Sequence, residues 1–168
     1  MSVSTSAQLR LRAPRHRVSR KSITLWTLHA LIGWLVLLIP QVVALIVVRG
    51  GPAWQLVPLL ATLVLAIAHT LVMPQWRYRV HRWESTPEAV CTLTGWFNQE
   101  WRVAPVSRIQ TVDTKRGPLQ QLLGLATVTV TTASAAGPVQ IEGLDHDVAM
   151  RLVDELTTTT QATPGDAT

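Results

Sequence analysis

His29 and His69 are the residues best placed to do chemistry in this sequence, because each lies inside a long run of apolar residues. An ionisable group inside a membrane-spanning stretch is costly, and such groups are functional candidates by default. If the two runs fold as an antiparallel hairpin, the imidazoles fall at similar depth. There they could hydrogen-bond, share a proton or form half of a metal site. The simpler account is that each neutral ring finds a backbone carbonyl or reaches up to the interface. No polar stripe runs the full depth of the two segments, so a transport path has little support.

Other reactive types are scattered. Asp145-His146-Asp147 has the composition of a metal site, but adjacent positions at a helix start point in different directions, and helix capping is the better reading. Cys91 is the single cysteine, which excludes an internal disulfide and a cysteine-based zinc site. Ser107 has no neighbouring base, and Asp113 with Lys115 reads as a surface pair. No group of residues forms the constellation that catalysis needs. The sequence therefore predicts a non-enzymatic protein with no cofactor and no metal. A net charge of +5 raises the question of nucleic acid. The positive residues cluster beside the apolar runs without an aromatic stacking platform, so nucleic acid is not an expected partner.

The elements that must position these residues begin with the apolar runs themselves. Residues 23–48 carry no formal charge, and at about 1.5 Å per residue they exceed the ~30 Å hydrocarbon core, leaving room for tilt. Residues 56–73 form a second, shorter run. Arg49-Gly50-Gly51-Pro52 between them is a turn, and Trp26, Trp54 and Trp76 fall at membrane boundaries. Pro40 is a candidate kink in the first span. The first run is too long for a signal peptide and lacks a small-residue cleavage site after it. Arg10, Arg12, Arg15, Arg17, Arg20 and Lys21 precede the hairpin, and Arg77, Arg79 and Arg82 follow it. That bias predicts both termini on the cytoplasmic side.

From Gln75 the pattern changes to period two, with Trp76, Tyr78 and Val80 alternating with Arg77, Arg79 and His81, as in a half-buried strand. Strands are then expected at 89–97, 101–106, 109–114, 127–132 and 139–142, with Gly95 or Asn98 bending the first hairpin. Leu119, Leu122 and Leu123 share one helical face after the Lys115-Arg116-Gly117-Pro118 turn, and Gly124 is placed to stop that helix. A last helix buries Ala149, Leu152, Val153 and Leu156. The expected organisation is a largely disordered basic tail at 1–22, a transmembrane hairpin at 23–74, a small β domain at 75–156 and a disordered tail at 157–168.

The run Ser107-Arg108-Ile109-Gln110, the Gly117-Pro118 turn, Leu122, Gly124-Leu125 and Ala126-Thr127-Val128 together resemble the YdbS-like bacterial PH-domain family. The resemblance implies an α+β membrane protein: a transmembrane helical hairpin followed by a PH-like antiparallel β-sandwich or barrel with a C-terminal capping helix. It implies a multi-pass protein of the bacterial plasma membrane. It also implies assembly with a larger membrane protein carrying repeated PH-like domains, and leaves self-association open. Two contact sets follow. Arg77, Arg79 and Arg82 are expected at lipid headgroups, where each is worth about 1 kcal/mol beside an anionic leaflet. The turn of Lys115, Arg116, Pro118, Leu119 and Leu122 is expected to meet protein. The function expected is that of a membrane-anchored interaction module. The alternatives are an anionic-lipid or envelope-stress sensor and, less favoured, a small transporter subunit relying on His29 and His69.

Overall fold

The computed structural model describes residues 13–48, 53–95, 98–133 and 137–162. Its first helix, α1 (Lys21–Val47), runs unbroken through Pro40 and lies against α2 (Leu56–Val80). Both are long and apolar enough to cross a membrane. The expected turn at residues 49–52 lies outside the described residues.

Exposure marks where lipid would meet the hairpin. Large exposed aliphatic side chains run from Leu31 on α1 to Val48 just past its end, and from Leu56 to Val72 on α2, where Trp76 is also exposed. Each run spans roughly 27 Å of helix, close to the ~30 Å of a hydrocarbon core. The first third of α1 and the last two turns of α2 are different in character: Ser22, Leu25, Trp26 and Ala30 are buried, as is Pro74. These stems rise out of the apolar band and carry the β domain.

The stem of α2 corrects the sequence reading. Trp76, Tyr78 and Val80 were expected in a strand, yet the helix continues through Val80. Three alternations are too few to outweigh a helix already nucleated. Helical spacing also sets Arg77 and His81 on one face, a turn apart.

Two antiparallel sheets follow and are not closed into a barrel. One contains β1 (His16–Arg17), β2 (Arg82–Ser85), β3 (Ala89–Thr94) and β4 (Glu100–Pro105), in that order. The other contains β5 (Ile109–Lys115), β6 (Leu125–Thr132) and β7 (Val139–Asp145). The short helix α3 (Pro118–Leu123) links β5 to β6, and Gly124 ends it in the left-handed region at φ 67°, as its sequence position predicts. Helix α4 (His146–Ala162) closes the core. Val90 and Ala104 of the first sheet meet Val128, Val130 and Ile141 of the second, and α4 adds Ala149, Leu152 and Leu156.

Both predicted tails are partly ordered. Residues 1–12 lie outside the described residues, but β1 pairs with β2, His16 with Trp83 and Arg17 with Arg82. Pro14 and Val18 are buried. The polar, Arg-rich composition of this segment hid its pairing, which depends on a strand beyond the hairpin. At the other end α4 extends through Ala162, and residues 163–168 lie outside the described residues. Threonine is a weak helix former. Here the hydroxyls of Thr157, Thr158 and Thr160 donate to the carbonyls of Val153, Asp154 and Leu156, four residues back, at 2.7, 2.8 and 2.6 Å. Adding residues to a helix seeded by buried Leu156 is far cheaper than starting one.

The stem of α1 is fastened to β7. Ser19 N and Ser22 Oγ both donate to Gly143 O, at 2.9 and 2.8 Å, and Lys21 Nζ lies 3.3 Å from Asp145 Oδ1. Gly143 has φ +76°, and a Cβ there would collide with the Ser22 side chain. Replacing Gly143 with Ala is expected to cost about 2 kcal/mol or more, from left-handed strain plus the collision. Thermal unfolding of the detergent-solubilised protein measures this, and an unchanged midpoint would contradict the contact.

Candidate functional site

Where α2 leaves the apolar band, Arg77 meets three residues through four contacts. Its Nη2 donates to Glu142 Oε2 at 2.8 Å, and its guanidinium carbon lies 4.6 Å from the centroid of the Trp26 ring. Its Nε points at His81 Nε2, 3.4 Å away, and its carbonyl oxygen lies 3.0 Å from His81 Nδ1. One tautomer satisfies both contacts: Nδ1 carries the proton and donates, and Nε2 accepts. His81 is 3% exposed, with its ring 5.0 Å from that of Trp26. Burial, reinforced by the positive charge of Arg77, lowers its pKa from 6.5 to about 4. A buried imidazole beside a guanidinium stays neutral.

Arg77, His81 and Glu142 form one wall of a cavity of about 400 Å³. Thr92, Glu100 and Arg102, from β3 and β4, face it across the gap between the sheets. Arg102 Nε donates to Glu100 Oε1 at 2.8 Å, and its Nη1 to Pro138 O at 2.9 Å. The Thr92 hydroxyl is buried and has no hydrogen-bond partner among the described residues. Sequence reading had not singled out Trp26, Glu142, Glu100, Arg102 or Thr92 as a site. The one local signal was the four-residue spacing of Arg77 and His81, which the strand reading concealed.

The three basic residues expected at the membrane differ in setting. Arg77 is occupied as described, Arg79 is exposed and Arg82 is half-buried. Arg17, brought alongside Arg82 by strand pairing, also lies 6.0 Å from the centre of the Tyr78 ring. Arg17 and Arg79 are both exposed, as are Arg15, Arg20 and Lys21.

The α3 turn is held firmly. Gly117 N donates to Gln120 Oε1 at 3.0 Å, Gln120 Nε2 to Thr127 Oγ1 at 2.9 Å, and Arg116 Nε to Leu125 O at 3.1 Å. Arg116 therefore braces the turn, while Lys115 and Pro118 are exposed and Leu119 is half-buried. Leu122 is 82% exposed, the extreme among the large apolar side chains described.

Inside the hairpin, Trp34 Nε1 donates to His69 Nδ1 at 3.1 Å. Trp34 is thus level with His69, about 7–8 Å along α1 from His29, which is exposed. Cys91 is half-buried, and burial, with Glu84 nearby, raises its thiol pKa above the ordinary value. A thiol shifted that way is a poor nucleophile. Ser107 is exposed in a short turn, and Asp145 pairs with Lys21. No group of three metal-ligating side chains occurs among the described residues.

A family model described as a bacterial PH domain matches residues 27–159. The UPF0699 transmembrane protein YdbS of Bacillus subtilis (strain 168) is 28% identical over 156 residues, covering 91% of this chain and 97% of that protein. No solved structure matches the chain.

The neutral His81 gives a pH signature with a definite sign. Its folded pKa lies below its unfolded value, so its contribution is present above about pH 6.5 and is lost as pH falls toward 4. The stability difference between the wild type and His81→Gln is therefore expected to narrow on acidification through that window. Unfolding midpoints of both proteins across the range measure it, and a constant difference would contradict a buried neutral ring.

Proposed function

The chain belongs to the bacterial PH-domain family, and from that premise we propose a non-enzymatic interaction module held at the cytoplasmic face of the bacterial plasma membrane, with both termini cytoplasmic. Its partner is a larger membrane protein with repeated PH-like domains. The observation carrying this reading is Leu122, 82% exposed on a turn fixed by three hydrogen bonds. A leucine that contributes nothing to its own core, on a rigid support beside exposed Lys115, suits a protein contact. Anchoring in the same plane as the partner raises the effective concentration of that contact.

A second reading draws on Arg17 and Arg79, both exposed, with Arg82 paired to Arg17 across the strands. These groups suit an anionic leaflet, at about 1 kcal/mol each, and would support surface sensing alongside the protein contact. Trp34, as partner to His69, supports a histidine serving the hairpin and not a transport path.

Cross-linking in native membranes is the direct test. The wild type is expected to recover a membrane protein with repeated PH-like domains, and Leu122→Asp to reduce that recovery about tenfold, as for loss of a central apolar anchor. Because Leu122 is exposed, its unfolding midpoint should hardly move. Equal recovery with both proteins would overturn the assignment of the turn.

A further inference from the structure

The cavity between α2 and the two sheets has a charge pattern that selects its occupant. Two ion pairs line it: Arg77 with Glu142 at 2.8 Å, and Arg102 with Glu100 at 2.6 Å. His81, between Trp26 and Arg77, has both ring nitrogens engaged and stays neutral. The site therefore carries two positive and two negative groups in balance. An isolated phosphate entering it would meet two carboxylates, and a simple cation would meet two guanidiniums. A ligand bearing both charges satisfies each kind, and charge-assisted hydrogen bonds are the strong ones.

Position narrows the choice. Exposed aliphatic residues on α2 end at Val72, with Trp76 the last exposed apolar ring, and Arg77 lies about 7–8 Å beyond Val72 along the axis. That is the depth of the headgroup layer, roughly 5–8 Å on each side of the hydrocarbon core. Thr92, 1% exposed, borders the cavity, and its buried hydroxyl has no partner among the described residues. Leaving such a group unpaired costs about 1–3 kcal/mol.

We propose that this cavity binds a phosphoethanolamine group, its phosphate meeting Arg77 and Arg102 and its primary ammonium meeting Glu100 and Glu142. A primary ammonium donates hydrogen bonds to carboxylates, whereas a trimethylated choline has none to give. The volume of about 400 Å³ accommodates such a headgroup. The chemistry is shared by a phosphatidylethanolamine lipid and by soluble glycerophosphoethanolamine.

The test uses the full chain in detergent, titrated with phosphatidylethanolamine, phosphatidylcholine or phosphatidylglycerol and examined by native mass spectrometry. Phosphatidylethanolamine is expected to be retained about tenfold better than the other two. Thr92→Val, which keeps the shape, and Glu100→Gln, on an exposed side chain, should each lower that retention about fivefold to tenfold. Loosely held phosphatidylcholine should be unaffected, and the unfolding midpoints show that both variants remain folded. Displacement by soluble glycerophosphoethanolamine at matched concentration would support the chemistry with a soluble source. Resistance to displacement, together with the preference, would support the lipid. Equal retention of all three lipids, or retention unaltered in both variants, would overturn the proposal.

Discussion

A guanidinium at the foot of a membrane helix has to be neutralised and hydrogen-bonded at once, and the way Arg77 meets that demand organises the protein. One side chain, on α2, reaches the Trp26 ring of α1, the Glu142 carboxylate of β7 and the His81 ring leading into β2. The charge is thereby shared among both membrane helices and both sheets. Partial burial makes the pair stronger than a surface ion pair but penalises any variant that leaves one partner behind. With Ser22 and Lys21 bonded to Gly143 and Asp145, the anchor and the β domain have little freedom to move separately.

That attachment divides the molecule by function. The apolar band of the hairpin needs only lipid around it, since its backbone groups are satisfied within each helix. The stems above the band differ: they are buried against protein, carry the charged side chains and border the polar cavity. The α3 turn stands apart from that junction in kind. It is braced by hydrogen bonds from Gln120 and Arg116, yet presents an uncovered leucine. A protein whose core is already complete has no internal use for such a side chain.

The local patterns were legible in the residues. Two apolar runs, the Gly124 stop, the Thr-Val alternation of β6 and the spacing of Ala149, Leu152 and Leu156 each have a short-range physical cause. What escaped was non-local. The strand at His16–Arg17 exists only because Trp83 and Arg82 lie beside it, more than sixty positions on. The continuation of α2 through Val80 brings Arg77 to Trp26 and Glu142, partners remote in sequence. Thr92 reads as an ordinary strand residue until Arg102 and Glu142 are brought opposite it. The basic residues follow the second apolar run, but composition does not distinguish Arg77, which is engaged, from Arg79, which is exposed.

Because β1 precedes the hairpin and β2 follows it, the first sheet encloses the two membrane helices within its own chain order. Neither end of the hairpin can be on the far side of the bilayer if β1 and β2 are to meet. During synthesis the segment around His16 must wait, unpaired, while both helices enter the lipid and the residues after Val80 emerge. The edge of the first sheet is thus a contact of long sequence separation, complete only once both helices have been made.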